Sequence, residues 1–458
     1  MKVLLVKPYN VSDHIQPSLG LGYLANSIRG EHDVEILDCI KEKLNVDGLV
    51  NYIEKKPPDI VGFQFYTYDF NFIKETTCKI KKKIPEIIII IGGPHPSSCG
   101  SELLKQLNNL DFIFQGEAER SLPKFLRLLS QKHNDFSNVS GLVWKKNGKL
   151  LCNPTDFYEN IDEFGFPAWD IIKPQTYPPA QHGAFFKNFP IAPVITTRGC
   201  PFNCSFCAAP KISGRKLRTR SAKNVITEIE LLYNKFGIKE IHIVDDNFTL
   251  NKEHAKKVLN ELKQSKLNIS WAVPNGIRLG TLDAELLALM RETGCYLISV
   301  GIESGSDRVL EYMKKNLTVD IIKKEIKFIK SFGFNIAGFF IIGFPQETEQ
   351  DIKKTISLSL ELPLVRANFF TFLPLPGTEA YTQIEKTGEL NNVDWNRFLF
   401  TSAPYVPKGL TRKKLKKLQR SAFLRFFLRP KIIIKNILAI KSVKHFKFLL
   451  RRAIHWLS

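Results

Sequence analysis

Three cysteines fall within eight residues in the stretch Thr196-Thr197-Arg198-Gly199-Cys200-Pro201-Phe202-Asn203-Cys204-Ser205-Phe206-Cys207, spaced C-x3-C-x2-C. No other stretch constrains the fold as tightly. Three thiols on one loop must serve a common centre, and the apolar run before them, Pro193-Val194-Ile195-Thr196, reads as a strand delivering that loop. Clustered soft ligands suit an iron–sulfur cluster. A [4Fe–4S] cube bound by Cys200, Cys204 and Cys207 keeps one iron open to a non-protein ligand. The competing reading is structural zinc, which takes four protein donors, and no fourth Cys or His stands at finger-like spacing.

The totals bound the rest. A chain of 458 residues with 44% apolar content holds two or three ordinary domains. Met1 runs directly into the strand-like Lys2–Val6, so no secretory leader is expected. No run of 18 apolar residues predicts a spanning helix. Cys39, Cys78, Cys99, Cys152 and Cys295 lack ligand spacing and are expected to be small buried hydrophobes. These features place the chain in a reducing cytoplasm. The net charge of +21 is uneven: residues 406–458 carry 16 Lys or Arg and no Asp or Glu, leaving +5 for the rest.

Apolar runs at Val3–Val6, Val34–Leu37, Ile60–Phe65, Ile87–Ile91 and Phe112–Phe114 alternate with helical patterns such as Leu21–Arg29 and Phe72–Lys83. Continuous Val/Ile runs suit strands buried on both faces. The alternation predicts an α/β, doubly wound parallel sheet of about five strands, with ligands at the strands' carboxyl ends. Those ends carry Gly20, Gln64, Thr67, Gly92, Gly93, Gly116 and Glu117. The glycines either let a large flat ligand approach the backbone or are plain turn residues. Lys146-Asn147-Gly148 reads as a hairpin turn in a proline-rich connector.

After the cysteine loop, six strands are expected near Val194–Thr197, Glu240–Val244, Ile269–Val273, Leu297–Gly301, Ile336–Ile342 and Asn368–Leu373, with helices between them. Six βα units predict a partial (β/α)6 barrel with its site at the carboxyl ends. Asp245 and Asp246 there either orient substrate or cap a turn. Arg278 either grips a carboxylate or makes a surface ion pair. Ser221 reads as a helix N-cap flanked by solvated Arg218 and Arg220.

With Phe206 before its last Cys, the cysteine loop resembles the radical S-adenosylmethionine (radical SAM) signature. The order P-x-x-G-L at Pro17–Leu21, G-G-P-H at Gly92–His95 and G-E at Gly116-Glu117 looks like the cobalamin-binding domain that precedes many radical SAM domains. This resemblance covers about residues 1 to 385. It includes the class B methyltransferases and the anaerobic magnesium-protoporphyrin monomethyl ester cyclases. It implies SAM chelated by the open iron and cleaved to a 5′-deoxyadenosyl radical. It also implies SAM contacts at Phe206, Arg278, Glu303, Ser304, Gly338 and Ile341, and cobalamin contacts at Gly20, Thr67, Gly92, Gly93, Gly116 and Glu117. Related proteins carry D-x-H-x-x-G; here Asp13 is followed directly by His14. Cobalamin is therefore expected without a lower histidine ligand, and His95 is expected to be a loop residue.

The expected domains are cobalamin-binding (1–135), linker (136–190), radical SAM (191–385) and a basic helical C-terminal region (386–458). The linker segment Phe164–Asp170 is expected to pack the two domains together. The tail reads as a helical cap, a membrane-surface element or a contact for another acidic partner. The implied activity is methylation of an unactivated carbon through methylcobalamin, with cyclisation or another radical rearrangement as the alternative. A cluster-bearing RNA-binding protein would need basic and aromatic residues spread over the fold, and the near-neutral first 405 residues argue against it. Expected partners are a small-molecule substrate such as a lipid or isoprenoid, a flavodoxin or ferredoxin as electron donor, and the inner face of a membrane, with no nucleic acid.

Overall fold

The structure, a computed structural model, describes residues 1–10, 15–183 and 185–457. Its first unit is a sheet of β1 (Lys2–Lys7), β2 (Asp33–Asp38), β3 (Ile60–Gln64), β4 (Ile88–Gly92), β5 (Phe112–Phe114), β6 (Leu142–Lys146) and β7 (Lys149–Cys152), in the order β2-β1-β3-β4-β5-β6-β7. The first five strands are parallel. Alternation explains why these runs are apolar throughout. Leu4 and Val6 join the core under helices Val46–Lys55 and Phe70–Lys83, while Val3 and Leu5 join the one under Leu19–Ile28 and Ser121–Ser130. Each such side chain contributes about 1.5–3 kcal/mol by leaving water.

The expected hairpin forms, with Asn147 and Gly148 both at positive φ. It is not a free connector, however: β6 pairs antiparallel with β5 and extends the sheet. The three-residue β5 would otherwise present an open edge. Cys39 and Cys295 are buried as expected, but Cys78 and Cys152 are exposed. Cys78 lies on the solvent side of helix Phe70–Lys83, and Cys152 ends the edge strand β7.

The second unit is an open sheet of six parallel strands: β8 (Ile191–Val194), β11 (Glu240–Ile243), β12 (Ser270–Ile277), β13 (Cys295–Glu303), β14 (Asn335–Ile342) and β15 (Arg366–Thr371). Its order is β15-β14-β13-β12-β11-β8, one strand after another as a partial barrel requires. A two-residue ladder joins β9 (Thr197–Arg198) to β10 (Arg218–Thr219) beside the cysteine loop. Strand β8 starts earlier than expected and contains Pro193. It is an edge strand, where a missing N–H costs no ladder bond.

The segment before β8 packs the halves together. Gly22 lies so close to Pro167 and Ile172 that a Cβ would sit 2.8 and 2.5 Å from them. Trp169 is buried and donates to Glu228 at 2.9 Å. Glu228 in turn holds the buried Arg220 at 2.5 Å. In the tail, helix Arg412–Phe427 caps the second sheet: Leu415, Leu418, Ala422 and Phe426 are buried, and Gln419 donates to Phe369 O at 2.8 Å. Two further helices, Pro430–Leu438 and Val443–Leu457, follow. Among the described residues no helix is long and apolar enough to cross a membrane.

Candidate functional site

The carboxyl ends of both sheets meet at one cavity, with about 1870 Å³ of free space including its open mouth. From the first sheet it is lined by Gly20, Gln64, Gly92, Gly93 and Gly116; from the second, by Ile195, Thr197, Asp245, Asp246 and Asn275. The cysteine loop leaves the second rim. Its entry is fixed by Asp245, which accepts from Thr196 N at 2.6 Å, Thr196 Oγ1 at 2.5 Å and Thr197 Oγ1 at 2.9 Å. Burial pushes this carboxyl up to about 6, against the pull of those bonds. Asp246 accepts from Gly199 N–H and the Ser213 hydroxyl. Both acids therefore hold the loop.

Gly199 has φ +93°, and a Cβ on it would lie 2.2 Å from Lys216 O. Gly199→Ala is expected to cost about 1–2 kcal/mol in backbone strain and to push the 213–216 segment aside. The variant should retain less iron after reconstitution; full iron content would refute this. Ser205 completes the anchoring: its N–H reaches Met313 O at 3.0 Å and its hydroxyl Tyr312 O at 2.9 Å. The loop is thus held by atoms other than its thiols, and all three thiols are free.

Cys200 and Cys204 are half-buried and Cys207 is exposed. Desolvation raises the half-buried Cys200 thiol. Thiols bind metal as thiolates, so loading this loop releases protons. Among the described residues no three His, Cys, Asp or Glu converge on one ion. A cube takes each thiolate on a different iron, and three soft donors on one loop suit it. The donor set fits the cube.

Arg278 sits against this loop and not on the surface. Its guanidinium lies 4.0 Å above the Phe202 ring, 3.9 Å from Cys204 Sγ, and donates to Lys315 O. Glu303, at φ +66°, accepts from Lys315 Nζ at 2.7 Å, both side chains buried. Lys315 Nζ lies 5.9 Å from the Phe206 ring, and Phe206 shares an apolar cluster with Ile341. Phe206, Arg278, Glu303 and Ile341 are thus brought to one side of the loop.

Ser304 and Gly338 are not. Ser304 is fully buried, with Oγ 3.2 Å from Thr355 Oγ1 of the covering helix. A Cβ on Gly338 would lie 2.9 Å from Ile302 and Leu364. The period of two turns Gly338, Phe340 and Ile342 toward the helices and Ile341 the other way. Lys315 escaped the sequence reading because nothing in Lys314-Lys315 marks one of two lysines as buried.

On the first rim, Gly20, Gly92, Gly93, Gly116 and Glu117 line the cavity. Gly93, at φ +109°, lies against Phe65, whose N and O would be 3.2 and 3.3 Å from a Cβ. That glycine serves packing; at Gly20 a Cβ would meet nothing nearer than Gln64 Nε2 at 4.0 Å, and this open backbone fits a large flat ligand. Thr67 is not among the lining residues; its hydroxyl is 3.1 Å from His95 Nδ1. Tyr66 and Tyr68 line the wall in its place, stacked at 5.3 Å. His95 is a buried packing residue rather than a loop side chain, 4.7 Å from the Phe65 ring, and burial pushes it down to about 4, so it is neutral. No histidine stands among the described residues lining the cavity. Asp13 and His14 lie outside the described residues.

Glu117 is saturated by the opposite unit. Arg218 grips it with two bonds of 2.6 and 2.8 Å, and Arg198 approaches at 3.2 Å while also holding Glu119 at 2.7 Å. Arg218 and Arg220 are 3% and 2% exposed. Ser221 does cap its helix, but the arginines beside it are ion-paired inside the protein and not solvated.

Fold and site together define a two-unit protein with three cluster-ready thiols on one rim and a glycine cradle on the other. The radical SAM superfamily model matches residues 194–359 and the B12-binding domain model residues 9–126. An uncharacterized methyltransferase of Pyrococcus horikoshii is 34% identical over 468 residues, covering 100% of this chain and 98% of that protein. An anaerobic magnesium-protoporphyrin IX monomethyl ester cyclase of Rubrivivax gelatinosus is 26% identical, over 93% of this chain and 78% of its own. The solved cobalamin-dependent SAM radical enzyme OxsB, with aqua-cobalamin and SAM bound, superposes with a TM-score of 0.75 at 17% identity, over 99% of this chain and 71% of that one. The chain belongs to the cobalamin-dependent radical SAM family. It is an enzyme of that family, and its cofactors are a [4Fe–4S] cluster, SAM and cobalamin.

Proposed function

We propose that this enzyme methylates an unactivated carbon of a small molecule, a lipid or isoprenoid, at the inner face of a membrane, with reducing equivalents from a flavodoxin or ferredoxin. The observation that carries the reading is the shared cavity: the glycine cradle and the second sheet's rim line the same space. When bound, the cofactors supply reductive SAM cleavage, hydrogen abstraction and a transferable methyl group.

The chain's own residues do the rest. Cys200, Cys204 and Cys207 hold the cluster. Phe206, Arg278, Glu303 and Ile341 stand where SAM would lie, Arg278 for a carboxylate and Glu303 for ribose hydroxyls. Gly20, Gly92 and Gly116 accept the corrin face. Glu117 and Arg198 fix the spacing of the rims. We divide this work between a cobalamin unit over residues 1–135, a connecting segment 136–190, a radical SAM unit 191–385 and the basic region 386–458.

Nucleoside analysis tests the reaction. With cluster, cobalamin, SAM, reductant and an extract of candidate lipids, S-adenosylhomocysteine and 5′-deoxyadenosine should both accumulate. 5′-Deoxyadenosine alone, with cobalamin bound, would overturn methyl transfer in favour of cyclisation or another rearrangement.

A further inference from the structure

The last two helices hold to the barrel on one side and carry an apolar stripe on the other. In Val443–Leu457, His445 is buried beside the Phe186 ring at 4.6 Å and Arg452 reaches Asn368 on β15. Val443, Phe446, Leu450 and Ile454 are 73%, 47%, 48% and 58% exposed. Their spacing puts them on one helical face. Lys444, Lys447 and Arg451 flank that face, all exposed. Helix Pro430–Leu438 repeats the plan: Ile432 is buried, while Ile433, Ile434, Ile437 and Leu438 are outward, the last 77% exposed. Leu428 adds another exposed side chain before Pro430.

Exposed aliphatic side chains gathered on one face of each of two successive helices mark a docking surface. Charge selects the occupant. Every charged side chain from 406 to 458 is cationic. A second copy meeting this face would set like charges against one another. A nucleic-acid backbone would use the lysines and leave the aliphatic stripe in water. An anionic lipid surface satisfies both features, since stripes sink below the headgroups while flanking cations meet lipid phosphates. We propose that helices Pro430–Leu438 and Val443–Leu457 dock this enzyme on anionic membranes, lying in the interface without crossing it. The proposal rests on the tail alone and is independent of the reaction the cavity performs.

Sedimentation of the full chain with vesicles tests it. Equal phosphatidylglycerol and phosphatidylcholine vesicles should pull the protein down, and pure phosphatidylcholine should bind it about tenfold more weakly or less. Ile434→Asp/Leu438→Asp and Phe446→Asp/Leu450→Asp should each weaken binding to anionic vesicles by about tenfold. These side chains are exposed, so an unchanged far-ultraviolet spectrum and melting curve are expected. Lys444→Glu/Lys447→Glu/Arg451→Glu should abolish the anionic preference. Full chain remaining in the supernatant with anionic vesicles would overturn the proposal. So would binding that the aspartate pairs leave untouched, as for a purely electrostatic polyanion site. A concentration-dependent dimer that the aspartate pairs dissolve would assign the face to a second copy instead.

Discussion

Cys204→Ala is expected to yield a folded protein that retains little iron and forms 5′-deoxyadenosine more than about a thousandfold more slowly, since cluster ligands act as a unit. The expectation of folding comes from the loop's anchors. Asp245 holds Thr196 and Thr197, Asp246 holds Gly199, and Ser205 is tied to Tyr312 and Met313; none of these bonds passes through a thiol. Cys200→Ala and Cys207→Ala should behave alike. Cys78→Ala and Cys152→Ala, exposed and distant in sequence from the loop, should leave iron content unchanged. Iron and sulfide assays beside product chromatography check the set. Full iron in Cys204→Ala would refute the three-thiolate assignment.

The second large effect is on stability. Glu117→Ala strands Arg218, whose side chain is 2% exposed, while Arg198 keeps its pair with Glu119. Removing one partner of a buried ion pair costs about 3–5 kcal/mol, because the remaining charge has lost both water and counter-ion. The midpoint of chemical denaturation should fall accordingly. Glu117→Leu combined with Arg218→Met should recover part of the loss, because neither change then leaves its partner charged. A loss in the double variant equal to the sum of the Glu117→Leu and Arg218→Met losses would show that the pair is not coupled. Arg198 precedes Gly199 and Cys200, so Glu117→Ala should also retain less cluster.

The layout of the fold was legible because its strands are buried on both faces. Val3–Val6, Ile60–Phe65 and Ile336–Ile342 have no alternation to confuse, and Gly or Pro bounds most runs. Misreadings arose where context overrides the local signal. The strand read over Pro193–Thr196 ends at Val194 and starts at Ile191, because the chain turns off at Ile195 into the loop that Asp245 holds. Leu142–Lys146 looks like a connector until the short β5 is seen to need a neighbour.

The site divides the same way. Cys200, Cys204 and Cys207 are defined by spacing within one loop, and spacing survives folding. The side of a strand on which a residue stands depends on register, so Ile341 packs with Phe206 while Gly338 and Ser304 turn into the core. Glu117, Arg198 and Arg218 are distant in sequence and became partners only through the docking of two sheets. Burial of Lys315 likewise has no local mark.

The seam at residues 161–172 has a consequence for exchange of parts between relatives. The proline-rich stretch looks like a natural place to cut, but it is not a tether. Gly22 accommodates Pro167 and Ile172, Trp169 plugs into the Arg220–Glu228 pair, and Glu117 answers arginines beyond the cut. A chimera joining one enzyme's first half to another's second half inherits half of each lock. Recombination at this point is expected to succeed only between parents that share both halves of the seam.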